Sequence, residues 1–279
     1  MFHVPIIDTQ SMDYQIEFCH INADADSHSW EKDTNICLEN IKINVFIKGD
    51  FSVVANERCY HPTYGDICVL PPYQMHYGRI LKPTHNDYYQ LDIGIHALDG
   101  VPQGKAMIDK IMENSRTNGL FFRPSKKDSD AILQLCNKME HAIADHNPAL
   151  AFARTIEILS KINKIYEGSS SVSTFVLSKV TKESINYLES HFDDEIKLEV
   201  LSTQFGVSTS YLARLFKKEV GVGIHEYLTR YRILQSTYYL KTHSVTDVCY
   251  MCGFNDCSHF ITVFKKYIGV TPNAYKKEH

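Results

Sequence analysis

Arg214 has the most specific chemistry open to any residue of this sequence. A guanidinium can make two parallel hydrogen bonds to the O6 and N7 edge of guanine. Ser210 beside it can donate or accept, and Lys217 and Lys218 suit phosphates, which position a protein on a duplex without specifying sequence. These residues lie in 208–227, STSYLARLFKKEVGVGIHEY, and a related passage follows 48 positions later at 256–275, DCSHFITVFKKYIGVTPNAY. Phe216 aligns with Phe264, Lys217 and Lys218 with Lys265 and Lys266, Gly221 with Gly269, and Tyr227 with Tyr275. A small unit repeated at fixed spacing implies two similar modules side by side.

The elements that must carry these side chains are short helices. In the first copy Leu198, Leu201 and Phe205 give one helix its buried side, Gly206 supplies a turn, and Ser208 caps a second helix. The spacing sends Tyr211, Leu212, Leu215 and Phe216 to the core and leaves Thr209, Ser210, Ala213, Arg214 and Lys217 outward. In the second copy Val245, Val248, Cys249 and Cys252 form the inner side, Gly253 and Phe254 make the turn, and Asp256 is the cap. Phe260, Val263, Phe264 and Tyr267 read as core, with Cys257, Ser258, Ile261 and Thr262 outward. That outward set has nothing basic to match Arg214. The second unit is therefore expected to read bases weakly and to hold the backbone through Lys265 and Lys266. A long helix over 224–242 joins the units, and its Arg230 and Arg232 suit an ion pair between helices or a backbone contact. The layout is that of a helix-turn-helix, whose second helix enters the DNA major groove.

The front of the chain has a different period. Residues 15–95 read as short strands: Ile41, Ile43, Val45 and Ile47 alternate onto one face, and Gly49-Asp50 and Gly65-Asp66 signal turns. Such runs describe an antiparallel meander or barrel. Helices are expected over 103–113, 128–145 and 149–166. In the last, Ile158, Leu159, Ile162, Ile165 and Tyr166 form a stripe that needs the barrel's flank or a second subunit to cover it, and a subunit contact is the reading adopted. Inside the barrel, Trp30, Thr34, Lys42, Asn44, His76, Tyr88, Tyr89 and Gln90 combine aromatic faces with a few polar groups, which suits a sugar or similar polyol. Gly168 to Thr174 is mostly serine and reads as a flexible connector. The expected organisation is an α+β chain with an N-terminal sensing and dimerisation domain over 1–166, a linker over 167–174 and an all-α DNA-binding domain over 175–279.

Hydrophobic residues make up 44% of the 279, enough for a sizeable core. No apolar run approaches the roughly 20 residues that span a bilayer, and no secretory signal opens the sequence, so a cytoplasmic protein is expected. The eight cysteines then read as reduced thiols. Net charge is −4 but uneven: from Phe175 onward 13 Lys and Arg face 11 Asp and Glu, leaving −6 on residues 1–174. Neither catalytic residues nor metal ligands nor a cofactor are indicated. His76 has no second histidine cluster near 35–42, there is no Gly-rich phosphate loop, and Cys249 and Cys252 lie one turn apart on a buried helix side, where cysteine packs as a small hydrophobe.

Three passages resemble the DNA-binding domain of AraC/XylS-type transcription regulators: YLARLFKKEVG (211–221), YRILQSTYYL (231–240) and CGFNDCSHFITVFKKYIGVTPNAY (252–275). The likeness covers about a third of the chain and departs from the family at Thr262, where a basic or polar residue is usual. FIKGDFSVVANERCYHPTYGDICVLPPYQMHYGR (46–79) and LFFRPS (120–125) resemble the same family's sensor domain, in particular that of its arabinose-responsive member. The resemblance implies a cupin-like antiparallel barrel holding a small effector, dimerisation helices, a homodimer, and recruitment of RNA polymerase at a carbohydrate operon. Two alternatives stay open: a cupin metalloenzyme tethered to a DNA-binding module, and a regulator controlled by a partner protein.

Overall fold

The computed structural model describes residues 4–7, 15–25, 40–55, 58–80, 84–117, 119–166, 170–171 and 174–278. Trp30 and Thr34 lie outside them. The order is β1 (Val4–Ile7), β2 (Ile16–Ala25), β3 (Asn40–Lys48), β4 (Phe51–Ala55), β5 (Arg58–Tyr60), β6 (Ile67–Leu70), β7 (His76–Ile80) and β8 (Thr84–Gly94). Then come α1 (Gly104–Thr117), β9 (Phe121–Arg123), α2 (Lys126–Ala144), α3 (Pro148–Tyr166), β10 (Ser170–Ser171) and β11 (Thr174–Val176). The helical remainder is α4 (Lys179–Ser190), α5 (Leu198–Gln204), α6 (Thr209–Val220), α7 (Ile224–Leu240), α8 (Val245–Met251), α9 (Cys257–Ile268) and α10 (Pro272–Glu278).

The front strands form two antiparallel sheets, one ordered β1-β2-β8-β3-β6-β9-β10 and the other β11-β5-β4-β7. Strand alternation assigns each side chain to a face. Ile41, Ile43 and Val45 of β3 join Leu91 and Ile93 of β8 in a cluster with α1, α2 and α3, and Ile47 packs against it, as the spacing required. The other face of the large sheet gives Cys19, Ile21, Phe46, Cys68, Leu70 and Tyr88 to a second cluster, which Val53, Ala55 and Tyr60 of the small sheet complete.

The α3 stripe has a different partner from the one expected. Ile158, Leu159, Ile162, Ile165 and Tyr166 are all buried within the chain, in the cluster shared by the sheet and the neighbouring helices. Periodicity identified the apolar face; a cover from its own chain, not a second subunit, takes it out of water. The described residues of the expected connector pair with strands. Ser170 and Ser171 pair with Arg123 and Phe122, and Thr174–Val176 pairs with Arg58–Tyr60. The backbone supplies the hydrogen bonds of both pairings.

Candidate nucleic-acid interface

Each reading unit is built from a seven-residue helix, a turn and a twelve-residue helix: α5 with α6, and α8 with α9. Ser208 Oγ accepts from Tyr211 N at 3.2 Å, and Asp256 Oδ1 accepts from Ser258 N at 2.8 Å, so both reading helices start on a side-chain cap. Both end on a left-handed glycine, Gly221 (φ 100°) and Gly269 (φ 91°), a conformation most other residues adopt only with strain. Lys217, Lys218, Lys265 and Lys266 occupy the last turns, where the partial negative charge of the helix end favours cations. Leu212, Phe216 and Val220 anchor α6, and Phe260 and Phe264 anchor α9.

The joining rod is α7. Arg232 Nε donates to Phe192 O at 2.6 Å and its Nη2 to Asp194 O at 2.8 Å, tying α7 to the segment between α4 and α5. Arg230 is buried, paired with Glu226, and its guanidinium lies 5.3 Å from the ring centre of Tyr267 on α9. Tyr227 packs edge-on against Phe216 of α6 at 5.5 Å. One helix therefore touches the reading helix of each unit.

The exposed face of α6 carries Ser210, Arg214, Lys217 and Lys218, with Thr209 and Ala213 half-buried. Tyr211, expected in the core, is 43% exposed, and the Arg214 guanidinium sits 6.0 Å from its ring centre. At the first turn of a capped helix the core is already closed by Leu212 and Phe216, so residue 211 is left on the outside beside residue 214, three positions on. On α9, Ser258, Ile261, Thr262, Lys265 and Lys266 are exposed and Cys257 is half-buried. His259, which the outward set omitted, is exposed too. Three hydroxyls are already engaged: Ser208 in its cap, Thr209 Oγ1 with Ser202 Oγ at 3.1 Å, and Thr262 Oγ1 donating to Ser258 O at 2.9 Å. Arg214, Lys217, Lys218, Lys265 and Lys266 form the cationic part of this exposed surface.

The proposed effector residues divide between two faces of the large sheet. Lys42, Asn44 and Phe46 alternate with the helix-facing residues of β3, as Tyr88, Gln90 and Asp92 do on β8, and this set turns toward the small sheet. His76 pairs with Ala55 and shares its side. Tyr89 belongs on the opposite face: it packs against Phe18 and His20, and its hydroxyl donates to Glu140 of α2 at 3.3 Å. A one-residue step reverses a strand side chain, which is why neighbours 88 and 89 cannot serve one interior.

Asp92 was missed by sequence reading and is 8% exposed, with Oδ2 accepting from Gln90 Nε2 at 2.8 Å. Asn44 Oδ1 and Asp92 Oδ1 are buried without a hydrogen-bond partner. Burial and the nearby Lys42 hold His76 down to about 3, so its ring is neutral; Nδ1 lies 3.1 Å from Gln74 O and donates to it, which leaves Nε2 as an acceptor.

The chain matches the helix-turn-helix domain family over residues 201–278. It is 30% identical to the transcriptional activator RhaS of Salmonella paratyphi A over 235 residues, which cover 80% of each protein. The chain belongs to the AraC/XylS family of transcription regulators. A RhaS of Escherichia coli is 38% identical over 93 residues, a third of this chain and 34% of that protein. Among solved structures, the C-terminal domain of the response regulator yesN from Fusobacterium nucleatum is 32% identical, covering 36% of this chain and 99% of that one, with a TM-score of 0.34. Apo ToxT of Vibrio cholerae is 18% identical over 94% of this chain and 97% of that one, with a TM-score of 0.38.

The named relatives in this AraC/XylS family are transcription activators, not enzymes. Among the described residues no three His, Cys, Asp or Glu side chains are placed to hold a metal ion, and no helix is long and apolar enough to cross a membrane. Cys249 and Cys252 are fully buried, and burial pushes both thiols up to about 12, as befits packing residues.

Proposed function

We propose that this regulator is an effector-gated activator working in the cytoplasm, which lays α6 and then α9 into adjacent major-groove segments of an operator. The observation that carries the reading is the pair of capped reading helices, each with an exposed basic end, held by one rod. Arg214 is the base-reading residue, set beside Tyr211, with Ser210 in support. Lys217, Lys218, Lys265 and Lys266 hold phosphates, and the unit built on α9 reads few bases. Arg214→Ala weakens binding to the selected operator by about 1–3 kcal/mol while leaving nonspecific affinity nearly unchanged. Fluorescence anisotropy on specific and scrambled duplexes measures both. An unchanged ratio removes Arg214 from the reading set.

The space between the two sheets is the effector site, in a cupin-like barrel, and the effector class is a sugar or related polyol. The unpartnered acceptors Asn44 Oδ1 and Asp92 Oδ1 support this, because they call for a ligand bringing at least two hydrogen-bond donors. Binding gates DNA recognition only as far as the ligand prefers one arrangement of the chain over another. In a thermal-shift panel of sugars, one compound raises the midpoint of the native protein. Asn44→Leu removes that shift without lowering the unliganded midpoint, since an apolar side chain ends the cost of a buried orphan acceptor. RNA polymerase is the partner implied by activation. A homodimer would use surfaces other than the buried α3 stripe, and Ile158→Asp would therefore unfold the N-terminal core instead of releasing monomers.

A further inference from the structure

Tyr77 lies on β7, far in sequence from both reading units, yet its side chain belongs to their core. Along β7, His76 pairs with Ala55 of the inter-sheet cluster, whereas Tyr77 pairs with Val54, and Tyr77 and Val54 both join the apolar cluster of the helical region. Tyr77 is 2% exposed. Its ring stacks on Tyr227 at 5.3 Å, and the Arg230 guanidinium sits 5.5 Å from its centre. Those two α7 residues are the ones that touch the reading helices: Tyr227 meets Phe216 of α6, and Arg230 meets Tyr267 of α9.

We propose that Tyr77 is a positioning residue for DNA recognition, acting through Arg230 to fix α9 relative to α6. This rests on the two-unit docking proposed above. A guanidinium stripped of water needs aromatic faces and its carboxylate partner to stay buried. Arg230 draws on two rings, one from the sensor sheets and one from α9, together with Glu226. A cleft of about 240 Å³ adjoins Tyr77 and Tyr227, lined also by Gln74, Met75, Ile185 and Glu189. Removing the Tyr77 ring would extend that cleft to Arg230, let water reach the guanidinium, and loosen its hold on Tyr267. The first unit keeps its own anchor, because Tyr227 is also packed on Phe216 and donates to Glu189 Oε1 at 2.6 Å. The Tyr77 hydroxyl is buried with no hydrogen-bond partner, so the ring alone does this work.

The test uses full-length protein and a duplex chosen from a random-sequence pool by the wild type, with a second, shorter duplex that ends before the half that footprinting assigns to α9. Tyr77→Ala weakens binding to the intact duplex on the order of tenfold and leaves binding to the shortened duplex unchanged. Tyr77→Phe stays within about twofold of wild type on both, since the ring is kept. Tyr77→Leu, which preserves apolar bulk for folding but has no aromatic face, repeats the alanine pattern; all assays run well below each variant's melting midpoint. Equal weakening on both duplexes, no weakening, or tighter binding by Tyr77→Ala and Tyr77→Leu overturns the proposal. A wild type that binds the two duplexes alike overturns the two-unit reading itself, a pattern separate from any effect of Tyr77.

Discussion

Phe216→Ala lowers the stability of the helical region by about 3–5 kcal/mol, the range for deleting a fully buried aromatic ring. Phe216 is 0% exposed and lies where α6 meets Tyr227 of α7. Its loss removes transfer free energy and leaves a void that helices fixed at both ends by caps cannot close. Phe264→Ala has an effect of similar size, because Phe264 is equally buried and packs edge-on against Phe260 and Tyr275 at 5.7 Å each. Urea unfolding followed by far-ultraviolet circular dichroism measures both. A cost below about 1 kcal/mol at either position would contradict the equivalence of the two cores.

Asp66→Ala destabilises the sheets by about 2–4 kcal/mol, because several charge-assisted hydrogen bonds end on one carboxylate. Asp66 is 0% exposed and accepts from Arg123 Nε and Nη2, both at 2.7 Å, from Thr63 N at 2.8 Å and from Thr63 Oγ1 at 3.1 Å. It thereby fixes the turn before β6 to strand β9. Arg123 is 45% exposed along its side chain and can turn to water in the variant, which keeps the cost below that of stranding a buried charge. Asp66→Asn retains part of the geometry and loses less. Thermal and urea unfolding of the three proteins give the order native, Asn, Ala; an Ala variant as stable as native would sink the argument.

Most of each reading unit was legible in the sequence, since the information is local. Ser208 and Asp256 mark helix starts that backbone hydrogen bonding demands, and Phe216 and Phe264 fall where the helical period puts them. The alternation of β3 was equally local. Some of what failed depends on contacts between distant segments, and some on local geometry set aside in favour of residue type. The α3 stripe announced an apolar face, and only the third dimension decides that α1, α2 and the sheet cover it. Tyr89 was grouped with Tyr88 on residue type, although strand geometry separates them. Tyr211 looked like core because it is aromatic, and Asp92 was passed over because a lone acid in an apolar strand carries no motif. The contact of Tyr77 with Arg230 joins residues 153 positions apart and leaves no trace in either neighbourhood.

The strand pairing of residues 170–171 and 174–176 bears on attempts to splice this regulator's helical region onto another front half. Cutting near residue 174 would strip β11 from β5, and cutting before residue 170 would strip β10 from β9 as well. Either graft bares a row of unpaired amides and carbonyls along a sheet border, which is a template for sticking chains together. A chimera that carries residues 170–176 with the front half keeps both borders closed, and the interchangeable piece then begins at Leu177, just ahead of the serine that caps α4.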